Sequence, residues 1–408
     1  MAKRVFITVA EVSGDLHASH LIESLRELDP TLVIEGHGGP RMRAAGATIH
    51  TETTANAAMG LSAVGRVREM LGLLKWTRRY FEKQPPDLQI CVDSPALNFH
   101  FAKAAHAVGR PVLYYVAPQL WAWREGRMKK LRRWVDRVAC IVPFEEAYFR
   151  GHGVEATFVG HPLFDELGEK SHPASDVAKP VRAFGDAPVI GLLAGSRRGE
   201  AAKNFSRMLG VAKRLRERFP GVRFLLPTTA ATNPVVQGQL DAIPPSSILH
   251  PASTQFEVRQ DAFDEMVPRC DLVVTVSGTA TLHVAMHNTP TIVVYHGSPV
   301  MWNLVGRWLI NTRTYAMVNL LSADPQLASS GRVTREMHVV PEFVPWYGPT
   351  EPAAACAIDL LSHPEKLAAQ RERLAALVRK LHKPGASRNA ARMAMELLDG
   401  RSTRPGLD

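Results

Sequence analysis

The sequence predicts an α/β protein made of two doubly wound halves, each a parallel sheet flanked by helices. Three observations carry that expectation. Short apolar runs of strand type alternate with helical patterns along both halves, the arrangement that encodes parallel sheets with crossover helices. Both halves open on an apolar strand followed by a small-residue loop, Glu11-Val12-Ser13-Gly14-Asp15 in the first and Gly195-Ser196-Arg197-Arg198-Gly199 in the second. Between the halves the rhythm breaks in a stretch rich in Glu, Lys, Ser, Pro and Asp, a linker composition. The expected divisions are 1–168, a linker at 169–187, 188–365, and C-terminal helices at 366–408 that cross back onto the first half. Loops of ligand-binding type at strand ends in both halves predict a cleft between them.

Taken in order, Lys3–Ala10 is a strand, and its β-branched run reads as structure rather than as a signal peptide. Gly14 gives its loop a small residue where a ligand can approach the backbone. Leu16–Leu28 follows as a helix, Thr31–Glu35 as a strand, and His37-Gly38-Gly39-Pro40-Arg41 as a turn into a short helix. In the stretch from Met59 to Lys83, Val67, Leu71, Leu74 and Phe81 recur as one helical stripe, while Arg68, Lys75 and Arg79 fall on another face. Two roles fit this basic amphipathic helix: lying on an anionic membrane through Leu71, Leu74 and Trp76, or packing on a sheet with its charges solvated. Leu88–Val92 is a strand closed by Asp93-Ser94-Pro95. Ligands of open α/β sheets bind beyond the carboxyl ends of strands, so Asp93 is a candidate site residue. A general base and a helix cap both suit a carboxylate there. Further strands at Pro111–Val116, Arg137–Val142 and Val154–Val159 complete the first half.

In the second half, Val189–Leu193 is a buried strand, and a helical pattern runs from about Glu200 to Arg218. The glycine turn between them is an anion site, where free N–H groups and the positive dipole end face outward. Arginine forks in the turn suit phosphate oxygens; an ordinary turn with solvated arginines fits as well. The turn is neither a P-loop nor a G-x-G-x-x-G fingerprint. Strands follow at Val222–Leu226, Asp271–Val276 and Thr291–Tyr295, and the loop Ser277-Gly278-Thr279 parallels Asp93-Ser94. Helical patterns near Glu365–Lys380 and Ser387–Leu398 end the chain.

The balance of the 408 residues, 46% hydrophobic and 22% charged, is that of a globular protein with ample core. No apolar run approaches the ~18–20 residues of a spanning helix. Cys91, Cys140, Cys270 and Cys356 are scattered without a C-x-x-C, and the first three sit in strand-like runs, so buried free thiols are expected. The histidines form no H-E-x-x-H, and no structural metal is expected. A net charge of +10 points to an anionic partner. Dispersed basic residues with no RNP-type or helix-turn-helix pattern argue against nucleic acid.

Ten stretches, in order, resemble the lipid-A-disaccharide synthase family: AEVSGDLHASHLI, GGPRMRAAGA, AAMGLSAVG, VDSPALNF, YYVAPQLWAWREGRMKKL, PFEEAYF, FVGHPLFDE, LLAGSRRGE, SGTATLHVAM and VNLLS. The match thins after Ser322, where Pro341-Glu342-Phe343 keeps the family's P-E-hydrophobic step. The resemblance implies a GT-B fold of two Rossmann-like domains. It implies an inverting, cofactor-free glycosyltransferase at the inner face of the inner membrane, cytoplasmic and peripheral, with a homodimer among its assemblies. Such enzymes move 2,3-diacylglucosamine from its UDP derivative to 2,3-diacylglucosamine 1-phosphate, forming a β-1,6 disaccharide and UDP. By the same resemblance Asp93 is the general base. Gly195, Ser196, Arg197, Ser277, Gly278, Thr279, His283 and Asn319 bind the UDP donor, and Glu11, Ser13 and Gly14 line the acceptor side. One departure stands out: the family usually has Glu where this chain has His283, and imidazole offers fewer acceptor positions than carboxylate. Two other readings fit parts of the pattern: an isomerase of the UDP-N-acetylglucosamine 2-epimerase kind, and a non-catalytic relative that binds lipid or nucleotide.

Overall fold

The structure is a computed structural model that describes residues 2–54, 63–122, 125–167, 185, 187–252, 254–297 and 314–400. Most of AAMGLSAVG, the pair Trp123 and Arg124, and nearly all of the expected linker lie outside the described residues. The chain divides into two compact units, residues 1–168 with 382–408, and residues 169–381.

Among the described residues the first unit holds seven strands: β1 (Arg4–Thr8), β2 (Val33–Gly38), β3 (Thr48–Glu52), β4 (Leu88–Val92), β5 (Val112–Tyr115), β6 (Arg137–Cys140) and β7 (Ala156–Phe158). All pair in parallel, in the order β3-β2-β1-β4-β5-β6-β7. Helices α1 (Val12–Leu28), α2 (Pro40–Ala44), α3 (Ala63–Lys83), α4 (Pro95–Ala107), α5 (Met128–Trp134), α6 (Pro143–Gly151) and α7 (Pro162–Leu167) connect and flank them. Side chains alternate faces along a strand, so β1 feeds two cores. Val5 and Ile7 pack with Leu21, Ile22 and Leu25 of α1. Phe6 packs on the other face with Phe81 of α3 and Phe101 of α4.

The last helix among the described residues, α16 (Ala386–Leu398), belongs to this unit and lies along α1, with Ala390, Ala391 and Ala394 fully buried. Asp165 anchors it, accepting the backbone N–H groups of Gly385, Ala386 and Ser387 at 2.7, 3.1 and 2.9 Å. Gly160 has φ +107°, and a Cβ there would collide with the Lys383 carbonyl.

The second unit repeats the plan with β8 (Val189–Leu193), β9 (Arg223–Thr228), β10 (Gln255–Gln260), β11 (Leu272–Val276), β12 (Thr291–Val294) and β13 (Glu342–Phe343). They form one parallel sheet in the order β10-β9-β8-β11-β12-β13. Its helices are α8 (Arg198–Arg218), α9 (Asn233–Asp241), α10 (Phe263–Met266), α11 (Thr279–Met286), α12 (Met317–Ser322), α13 (Pro325–Ser329), α14 (Glu351–Ser362) and α15 (Pro364–Leu381). The helices expected together at 366–408 divide here: α15 stays with the second unit and α16 returns to the first. Gln370 explains part of this, because its side-chain oxygen, buried in α15, accepts the β12 N–H of Thr291 at 2.6 Å. Edge strands β3, β10 and β13 escaped the sequence reading. The first two carry mostly exposed or half-exposed residues, and the third has only two.

Cys91, Cys140 and Cys270 are buried and Cys356 is half-buried, all as free thiols. Among the described residues no helix is long and apolar enough to cross a membrane.

Candidate active site

Strand order reverses once in each sheet. In the first unit the chain winds outward from β1 through β2 and β3, then restarts beside β1 with β4. In the second it winds from β8 through β9 and β10, then restarts beside β8 with β11. Loops at such a reversal diverge and open a crevice at the carboxyl ends of the strands. Glu11, Ser13, Gly14 and Asp93 follow β1 and β4, while Gly195, Ser196, Arg197, Ser277, Gly278 and Thr279 follow β8 and β11.

Asp93 and Ser94 carry φ angles of +52° and +45°. Left-handed backbone at two successive non-glycine residues costs of order 1–3 kcal/mol each and persists only where the surroundings over-determine it. Here a buried polar network does so. The Asp93 carbonyl accepts Asn98 Nδ2 and the Tyr114 hydroxyl, both at 2.7 Å, and its N–H donates to the Tyr115 carbonyl at 3.1 Å. Asn98 Nδ2 also donates to the Val92 carbonyl at 2.8 Å, and Asn98 Oδ1 accepts the Thr8 hydroxyl at 2.6 Å. Thr8 in turn accepts Gln89 Nε2 at 2.9 Å. The ends of β1 and β4 are thereby locked together beneath Asp93. Gly14 is buried beside them, its missing Cβ 3.4 Å from Val9 and 3.8 Å from the Val92 carbonyl, while Ser13 is exposed and Glu11 half-buried.

In the second unit Gly195 has φ +111°, and a Cβ there would sit 2.5 Å from the Glu200 carboxylate. The φ angle favours glycine, while the Glu200 side chain could swing away from a Cβ. Arg197 is the N-cap of the long helix α8, and Ser196, Arg197 and Arg198 are all exposed. Tyr295, which follows β12, interacts with Glu200 in the first turn of α8. Burial, then the charge and hydrogen bond of Glu200, push its phenol up, and Arg197 pulls it down. Ser277 donates to the Tyr315 carbonyl at 2.7 Å, Thr279 is exposed, and a side chain at Gly278 would meet nothing within 4 Å. The arrangement joins exposed arginines to a glycine turn at a helix N-terminus, which suits a phosphate or diphosphate.

The lipid-A-disaccharide synthetase family model matches residues 5–392. The chain belongs to that family. A lipid-A-disaccharide synthase of Geobacter metallireducens is 37% identical over 405 residues, covering 97% of each chain. Two solved structures are similar throughout: a Staphylococcus aureus MnaA–UDP complex, with a TM-score of 0.61 at 12% identity over 100% and 99% of the two chains, and a kitacinnamycin glycosyltransferase, with 0.58 at 16% over 97% and 99%. These distant likenesses speak for the fold, which is of GT-B type. Membership of the synthetase family makes the chain a glycosyltransferase that forms the lipid A disaccharide from a UDP-sugar.

Three residues carry expectations that their surroundings bear on: Asn319 and His283, given to the donor by the synthetase resemblance, and Leu74, given to a membrane by helical periodicity. Asn319 is 0% exposed. Its Nδ2 donates to the Val340 carbonyl and Glu342 at 3.0 and 3.1 Å, and its Oδ1 accepts the N–H groups of Val339 and Val340 at 2.9 and 3.0 Å. No polar atom is left for UDP, so Asn319 is a scaffold residue. It ties VNLLS to Glu342, whose carboxylate also accepts the N–H groups of Tyr315 and Ala316. His283, expected to face the ribose, hydrogen-bonds Asp264 at 2.7 Å and stacks on Phe263 at 4.2 Å. Leu74 is 7% exposed and packs in the first unit's core, so it cannot insert into a membrane without unfolding α3. Leu71 and Trp76 are 59% and 41% exposed.

Other residues escaped the sequence reading. Asp15 is buried and accepts the N–H groups of Gly39, Arg41 and Met42 at 2.9, 3.0 and 3.1 Å, so the two glycine loops of the first unit are one structure. Glu145 is 1% exposed and accepts Trp121 Nε1 at 3.0 Å, joining PFEEAYF to LWAWR. Burial pushes its carboxyl up to about 8, against the opposing pull of the Trp121 bond. The two motifs were legible, but their contact was not.

Proposed function

We propose that the enzyme transfers 2,3-diacylglucosamine from UDP to the 6-hydroxyl of 2,3-diacylglucosamine 1-phosphate, with Asp93 as general base. The observation that carries this reading is the strained, network-locked turn that presents a carboxylate at the switch point of the first sheet. The Asp93 carboxylate takes the hydroxyl proton as that oxygen forms its bond to the donor's anomeric carbon. The bond from that carbon to the UDP oxygen breaks, and UDP leaves with the electron pair. Attack opposite the leaving group inverts an α-linked donor and gives the β-1,6 product. Arg197 and the first N–H groups of α8 stabilise the charge that grows on the diphosphate, as fixed dipoles and cations do in transition states.

Binding to the anionic inner face of the inner membrane fits this substrate class. A net charge of +10 and the exposed Leu71, Lys75, Trp76 and Arg79 of α3 support it. Mass spectrometry of products from the acylated UDP-sugar and the acylated sugar phosphate tests the reading. A disaccharide phosphate with equimolar UDP is expected. Turnover of the UDP-sugar without acceptor would favour an isomerase, and binding of UDP with no product would favour a non-catalytic relative.

A further inference from the structure

We infer that Asp264, His283 and His287 form a binding site for one divalent transition-metal ion of the imidazole-preferring class, zinc being the reference case. His283 lies in α11 and His287 caps its C-terminus, four residues on, so both imidazoles leave one helical face. Their rings lie 5.4 Å apart with planes 24° from parallel. Phe263 stacks on His283 at 4.2 Å, which fixes the orientation of that ring. Asp264 follows in the next position, on a helix anchored by buried Ala262 and Met266. Its Oδ1 accepts Nε2 of both histidines, each at 2.7 Å. The three atoms that would bind metal lie within 4.8 Å of one another.

That spacing is close to what a metal needs. Zinc–nitrogen and zinc–oxygen bonds of about 2.0–2.2 Å hold neighbouring ligand atoms roughly 3–3.5 Å apart. Opening the two hydrogen bonds by less than an ångström therefore makes room for an ion. The proton balance is simple. In the metal-free cluster each Nε2–H donates to Asp264, and on binding that proton moves to Nδ1 of the same ring or leaves to solvent. Asp264 Oδ1 accepts from both rings, so one carboxylate oxygen already faces both ligand nitrogens. Two imidazoles and one carboxylate suit zinc, cobalt or nickel and leave an open position. Magnesium and calcium prefer all-oxygen shells. Asp264 is exposed and both histidines are partly so, which gives the ion a path from solvent. Among the described residues this is the one His, Cys, Asp and Glu cluster with such spacing. A bound ion would cross-link α10 to α11, the helix that starts from the Ser277–Thr279 loop.

The test uses the untagged full chain, stripped with chelator and titrated with Co²⁺ by visible absorption and with Zn²⁺ by calorimetry. One saturating equivalent per chain is expected, with cobalt d–d bands that Zn²⁺ abolishes and Mg²⁺ does not. His287→Ala and Asp264→Asn should each weaken binding by more than about tenfold, the loss that even outer-shell partners of a metal cause, with unchanged circular dichroism. Zn²⁺ should raise the melting temperature of the wild type but not of Asp264→Asn, since a ligand stabilises only the state that binds it. Absence of saturable binding, or binding equally strong in both folded variants, would overturn the site and leave a hydrogen-bonded His–Asp–His cluster only. Should His287→Ala unfold, the comparison rests on Asp264→Asn.

Discussion

Arg197 is exposed at the start of α8, beyond a turn whose Gly195 sits at φ +111°. Its proposed work on the diphosphate is tested apart from folding by reading affinity and melting temperature together. Arg197→Ala should weaken UDP binding by about 1.5–3 kcal/mol, the range for a charged hydrogen bond, while the melting temperature holds. Calorimetric titration with UDP checks this, and unaltered affinity would return Arg197 to the solvated surface. Glu145 makes a different statement. The native state keeps its proton up to about pH 8, whereas an unfolded glutamate releases it near 4.3. Between those values the native state binds more protons, so stability falls as pH rises, with a limiting slope of order 1 kcal/mol per pH unit. Glu145→Gln is neutral throughout and still accepts from Trp121. It should therefore match the wild type near pH 4.5 and exceed it increasingly toward pH 8 in thermal melts. Parallel curves for the two proteins would mean Glu145 is ionised in the fold. At this scale the sequence was legible where chemistry is local. Asp93 follows a strand and stands two residues before a proline, and both signals are visible in the string. Asn319 finds its partners 20, 21 and 23 residues away, and nothing in VNLLS reveals that they consume all its polar atoms. His283 was read for a ribose while Asp264, 19 residues earlier, went unread. The H-x-x-x-H spacing of His283 and His287 was the available signal.

Helix α3 separates two meanings of one apolar stripe. Periodicity put Leu71 and Leu74 together, and the sheet beneath takes only Leu74. Trp76 is intermediate: exposed at its edge, yet stacked on Tyr80 at 4.8 Å. Leu74→Ala should cost about 2–5 kcal/mol as a core cavity. Leu71→Ser should leave the fold intact and reduce flotation with anionic vesicles, an attraction that should also weaken as salt rises. Unchanged flotation of a folded Leu71→Ser protein would remove this face of α3 from membrane binding. Central strands were predicted to within a few residues because burial on both faces writes a continuous apolar run. Edge strands β3 and β10 are half-solvated and mixed in character, so the same rule passes over them.

Across the whole molecule, the C-terminus completes the first unit. Asp165 and the start of α16 are separated by about 220 residues and joined by three hydrogen bonds. The two doubly wound halves were legible because strand–helix alternation is written along the chain. The division between α15 and α16 was not, since each is an equally good helix and only its docking surface decides. Asp165→Ala removes the cap from three N–H groups and should cost about 1–2 kcal/mol, read as a lower melting temperature with UDP affinity unchanged. A loss of UDP affinity in proportion would instead tie the cap to the donor site. The central claim is that the carboxylate on the strained turn after β4 removes the acceptor's proton. Its most direct measurement is the single-turnover rate of Asp93→Asn with acylated UDP-sugar and acylated sugar phosphate, alongside its affinity for UDP. A fall of about 100- to 10,000-fold, the usual worth of a general base, with UDP binding retained, is the predicted result. A folded variant that keeps more than about a tenth of the wild-type rate lies far outside that range and would contradict the account.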